Sequence, residues 1–170
     1  MTTYEKLWKI AESNKIQRYV GESYTDSLNH THIGQDYMPF DLTTLDGKRI
    51  TNKNSIGKIT LIIFTLQTCD GWWDFPTLND LYRANPSFQV VAVMFDKKNI
   101  QEFIKKYDIL FPIAFVSSLQ LHQMNYRNGE PSFILLDKNG KIALLEDRGI
   151  DSTHTTISSN AFRKIFYTLL

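Results

Sequence analysis

The chain has 170 residues, of which 42% are hydrophobic, 22% charged and 13% aromatic, enough apolar side chain for a sizeable core and too much for an intrinsically disordered chain. Nineteen Lys and Arg against eighteen Asp and Glu leave a net charge of +1, which argues against an electrostatic nucleic-acid binder. No apolar run approaches the ~20 residues of a membrane span, and the length suits one domain with or without an extension.

Residues 1–28 read as helix. Tyr4, Leu7, Trp8 and Ala11 fall on one face of a 3.6-residue period, and Ile16, Tyr19, Val20 and Tyr24 make a second, weaker stripe. The polar run 26–35 reads as a connector. Segments 40–45 and 48–51 flank Asp46-Gly47, a strong hairpin signal. Residues 59–64 and 90–95 are short, nearly continuous apolar runs, as expected of strands buried on both faces of a sheet. Between them Phe75, Leu78, Leu81 and Tyr82 make a helical face, and after them Ile100, Phe103, Ile104 and Tyr107 make another.

A short strand at 113–116 follows, then a link, then strands at 133–136 and 142–145. Residues 137–140 between these last two are too few for a parallel crossover, so the pair is antiparallel. Ala161, Phe162, Ile165, Phe166, Leu169 and Leu170 close the chain as an amphipathic helix, with Ser158 or Ser159 available as its cap. Alternating β-α-β units with a terminal hairpin call for a parallel core with an antiparallel edge and helices on both faces, a three-layer α/β/α sandwich.

Cys69 is the chain's single cysteine, so no internal disulfide can form. It lies between a buried strand and a helical segment, where open α/β sheets carry their working groups. Unpaired N–H groups and the dipole of a helix start favour a thiolate there, while the adjacent Asp70 opposes it. The alternative is a small buried hydrophobe, as many free cysteines are. His30, His32, His122 and His154 show no ligand spacing with Cys69, and neither metal nor cofactor is expected. The first residues show no basic region followed by an apolar one. As written, the chain is expected in the cytoplasm, or in the periplasm or cell envelope if a leader has been removed.

The segment 64–78, with Cys69, Asp70, Gly71, Trp72, Trp73 and Pro76, resembles the active-site segment of the thioredoxin superfamily, most nearly the TlpA/ResA-like (AhpC/TSA-related) thiol–disulfide oxidoreductases. Further pieces match in order: Ile33-Gly34, Pro39 to Leu42, Asp46-Gly47-Lys48, Gly57-Lys58, Gly129-Glu130-Pro131 to Asp137, and Asn139-Gly140-Lys141. The resemblance spans residues 33–150. It implies a thioredoxin-like domain over 33–170 behind a helical N-terminal extension over 1–32, with a mixed sheet and an N-terminal β-hairpin. It also implies that Pro131 is a cis-proline facing the thiol, that Glu130 beside it lines the path of an extended substrate, and that Pro76 kinks the active-site helix.

The departures are as informative. These relatives usually carry C-x-x-C, whereas here Trp72 or, counted back from Pro76, Trp73 stands in place of the second cysteine. A thiolate can still form a mixed disulfide, but no second thiol in the chain can release it, so a self-contained dithiol reductase is excluded. A one-cysteine peroxiredoxin is disfavoured too, because Ile62 and Leu66 occupy the positions of that family's proline and threonine.

Trp72 and Trp73 admit three readings: core aromatics, a shield over the thiol, or a stacking platform for a ligand. Glu130 is either a carboxylate close to Cys69 or a polar loop residue. Two functions follow as expectations. One is monothiol exchange through Cys69 completed by an external thiol. The other is a non-catalytic binding module that meets a protein or peptide through Trp72, Trp73, Glu130 and Pro131. The expected partner is a small thiol or a protein bearing a thiol or disulfide, and a monomer is expected rather than a dimer formed through Tyr4, Trp8 and Tyr19.

Overall fold

The computed structural model of the chain describes residues 1–15, 24–146 and 157–170. Helices α1 (Thr3–Lys15) and α2 (Tyr24–His32) precede a hairpin of β1 (Asp41–Thr43) and β2 (Arg49–Thr51) and a single turn, α3 (Asn52–Ser55). Strand β3 (Ile59–Phe64) leads through a 3-10 segment (Gln67–Trp72) into α4 (Phe75–Ala84), followed by β4 (Phe88–Met94) and α5 (Ile100–Tyr107). Then come β5 (Ile113–Phe115), α6 (Ser118–Met124), β6 (Ser132–Leu136), β7 (Ile142–Glu146) and α7 (Ile157–Leu169).

The main sheet has the order β5-β4-β3-β6-β7. Strands β3, β4 and β5 run parallel, while β6 and β7 are antiparallel to their neighbours. The β1–β2 hairpin forms its own small sheet and reaches the main one where Thr44 bridges Ala114 and Leu45 N–H donates to Ile113 O. Its turn works because Gly47 adopts a φ of 82°, open to glycine at little cost, and donates its N–H to Thr44 O.

Strand β3 is buried at every position, and its alternation divides the core in two. Ile59, Leu61 and Ile63 join Leu7 of α1, Phe75 and Leu78 of α4, Phe103 of α5 and Phe162 and Phe166 of α7. Ile62 and Phe64 join Leu28 of α2, Leu42 and Ile50 of the hairpin and Leu121 and Met124 of α6. Two helical layers therefore enclose one sheet, a thioredoxin-like three-layer sandwich. Among the described residues no helix is long and apolar enough to cross a membrane.

Several local expectations are corrected. The polar run 26–35 is not a connector but mostly α2, whose inward face is set by Leu28 and by Asn29. Asn29 Nδ2 donates to Leu145 O and its Oδ1 accepts from Leu145 N–H, so one amide pairs both backbone groups of a residue on the sheet edge. The link after β5 holds α6, started by a reciprocal cap between Ser117 and Gln120. Ser158 and Ser159 lie inside α7, which begins at Ile157, and do not precede it. The stripe of Ile16, Tyr19 and Val20 lies outside the described residues. Of the aromatic stripe on α1, Tyr4 donates its hydroxyl to Asp137 Oδ2 at 2.6 Å and Trp8 meets the His30 ring edge-on.

Candidate functional site

The site is built where β3 ends. Phe64 pairs with Val93 on one side and Ser132 on the other, so the chain leaves the sheet between the end of β4 and the start of β6. Residues 65–73 then form a closed loop. Thr65 is buried, and its Oγ1 accepts a hydrogen bond from the indole N–H of Trp73 at 2.9 Å. Inside that clasp, Cys69 is half-buried and donates its backbone N–H to Leu66 O at 3.0 Å. The helical path breaks at Cys69, with φ −95° and ψ 21°. Gln67 Nε2 donates to Asp96 O at 2.9 Å, tying the same loop to the turn after β4.

Helix α4 does not begin at Cys69, contrary to expectation. Its N-cap is Asp74, whose carboxylate accepts from Thr77 N–H at 3.2 Å, so an acidic side chain already occupies the helix start. Pro76 also departs from expectation. It sits in the first turn of α4, where its missing N–H has no intrahelical partner to lose, so it starts the helix and does not kink it.

A second edge at this end of the sheet comes from the connection between α6 and β6. The Glu130–Pro131 peptide bond is cis, and Ser132 next to it is in register with Phe64 of β3. This puts Pro131 and Cys69 at the same end of the sheet. Asn125, 1% exposed, supports the connection by donating from Nδ2 to Gly129 O and Ser132 Oγ. Glu130 is largely buried, with His122 Nδ1 of α6 at 3.6 Å from its Oε1. Sequence patterning does not flag His122, because the short helix that carries it reads as a link.

Trp73 is 6% exposed and packs in the core beside Ile63 and Phe75. It is a structural clasp, which removes it from the stacking platform and from the binding surface expected of a non-catalytic module. The backbone of Trp72 closes the 3-10 segment, and its side chain lies outside the described residues. Among the described residues no three His, Cys, Asp or Glu side chains gather as a metal site would require. A cavity of about 250 Å³ between Tyr82, Ile104, Phe111 and Pro112 opens near the start of β5, at the other end of the parallel strands from Cys69.

The sheet order, the cysteine loop after its central strand and the cis-proline at the same end of the sheet define a thioredoxin-fold protein. No family model matches the chain. The thiol-disulfide oxidoreductase ResA of Bacillus cereus (strain ATCC 10987 / NRS 248) is 27% identical over 126 residues, covering 71% of this chain and 73% of that protein. ResA of a second Bacillus cereus strain is 29% identical over 115 residues, or 65% of this chain and 66% of that one. StoA from Bacillus subtilis superposes with a TM-score of 0.55 at 22% identity, over 73% of this chain and 94% of its own. The thioredoxin domain of a thiol-disulfide oxidoreductase from Bacteroides vulgatus gives 0.61 at 18% identity, over 81% and 97%. The chain thus has a thioredoxin-like fold and is similar in sequence to the thiol-disulfide oxidoreductases ResA.

Proposed function

We propose that the protein performs thiol–disulfide exchange with one thiol. The Cys69 thiolate attacks one sulfur of a partner disulfide, a new S–S bond forms to Cys69, and the partner's other sulfur leaves as a thiolate that takes up a proton. With no second cysteine in the chain, the mixed disulfide persists until an external thiol attacks it, regenerating Cys69 and carrying the partner away as a new disulfide. The partner is a small thiol or a protein bearing a thiol or disulfide.

The single observation that carries this reading is the partly exposed Cys69 in a clasped loop at the same sheet end as Glu130 and Pro131. A cysteine serving only as packing would be sealed in one of the two apolar clusters, and Cys69 belongs to neither. Glu130 and Pro131 serve as the substrate-facing edge, and Trp72 closes the loop that carries the thiol. Residues 1–32 act as an extension, of which α1 and α2 lie against β7. The protein acts as a monomer, which is supported by Leu7 of α1 being fully buried within its own chain.

Incubation with oxidised glutathione, read by intact mass, tests the reading. One glutathione per chain is expected, with none on Cys69→Ser and full removal by an added thiol. An unaltered protein that takes up none would overturn it.

A further inference from the structure

Among the described residues two side-chain atoms are fully buried without a hydrogen-bond partner, Asn125 Oδ1 and Glu130 Oε1. Folded proteins leave few such atoms, because each gives up its hydration with nothing in return. Here both fall in one connection, between α6 and the cis-proline edge at the same end of the sheet as Cys69. The same connection carries two successive non-glycine residues at positive φ, Tyr126 at 55° and Arg127 at 60°. Its turn is closed by Arg127 N–H donating to His122 O at 2.7 Å. His122 therefore anchors the turn through its backbone while its ring stands 3.6 Å from the unpaired carboxylate oxygen.

We propose that His122 is a positioning residue, which donates from Nδ1 to Glu130 Oε1 when an extended substrate covers the Glu130–Pro131 edge. The proposal rests on the reading of Cys69 as the attacking thiol and adds a residue that reading does not use. The ring is 49% exposed, whereas the Glu130 side chain is only 13% exposed. Closing the gap to ordinary hydrogen-bond length needs a movement of well under an ångström. Both the imidazolium and the neutral tautomer with hydrogen on Nδ1 can supply the donor. A bound peptide would exclude water from the pair and strengthen it. Glu130 would then be fixed with its carboxylate turned to His122, leaving the backbone at Glu130 and Pro131 as a rigid rail for the substrate.

The rail matters to a peptide and not to a small reagent, so the two separate positioning from general disturbance. The test compares rates of mixed-disulfide formation at Cys69 with an extended peptide disulfide and with a small aryl disulfide. His122→Ala is expected to slow the peptide roughly ten- to a hundredfold, as loss of alignment does, while the aryl rate stays the same. His122→Asn, which keeps a donor nitrogen near Nδ1, is expected to restore most of the peptide rate. Adding Glu130→Gln to His122→Ala is expected to slow the peptide no further. A peptide rate indifferent to His122→Ala, or equal slowing of both reagents, would overturn the positioning role alone. Failure of the unaltered protein to react with either reagent would overturn the reading of Cys69 and the positioning role with it.

Discussion

Replacing Trp73 by Phe should loosen the Cys69 loop while leaving the sheet intact. The substitution keeps an aromatic ring in the core but removes the indole N–H that donates to Thr65 Oγ1 at 2.9 Å, between residues exposed by 6% and 0%. The lost hydrogen bond costs about 1 kcal/mol. The smaller ring gives up roughly 40–60 Å² of buried apolar surface, or about 1–2 kcal/mol. The sum, about 2–3 kcal/mol, lowers the melting temperature of a domain this size by about 4–12 °C. Thr65→Val leaves the buried indole N–H unpaired and should cost about 1–3 kcal/mol. Because both changes break one bond, the double variant should be destabilised by about 1 kcal/mol less than the sum of the single ones. Urea unfolding of the four proteins measures this directly. Alkylation of Cys69 should also be faster in Trp73→Phe. Additivity within about 0.3 kcal/mol would refute the clasp.

Other consequences are equally measurable. Leu7→Ala should cost about 2–5 kcal/mol by denaturant midpoint, since α1 drives this leucine fully into the core. Asn29→Ala strips both backbone partners from Leu145, and the Leu145 amide should then exchange with solvent far faster. Burial, and then the hydrogen bond to Asp137, push the Tyr4 hydroxyl up to about 12. Its unfolded counterpart ionises near 10, so the folded state holds the proton longer and stability should fall as pH rises from about 10 to 12. Tyr4→Phe should remove that part of the fall in a pH series of melts.

The fold was legible wherever apolar residues carried the pattern. The runs 59–64 and 90–95 and the helical faces at Phe75 and Phe103 announce themselves because nearly every inward position is a hydrocarbon, Thr60 and Asn79 being buried polar exceptions. Helix α2 was hidden because its anchor is Asn29, a polar residue whose burial is compensated by backbone groups 116 positions away. Helix α6 was hidden by its brevity, although the Ser117–Gln120 cap was a readable signal. The position of Cys69 at the strand end was visible, but its separation from α4 was not. The N-cap at Asp74 depends on where the 3-10 segment stops, a matter of a few residues that spacing does not resolve. Likewise, adjacent tryptophans read alike in sequence. Trp73 is assigned to the core only by its partner Thr65, eight residues back.

The central claim is a thiol that captures a partner and cannot release it unaided. The most direct measurement is the amount of thiolate set free when the protein meets an excess of a chromogenic aryl disulfide. Without added thiol, a burst of one equivalent per chain and then a plateau is predicted, with steady turnover once glutathione is supplied. No burst, or continued release beyond one equivalent with no thiol added, would contradict it.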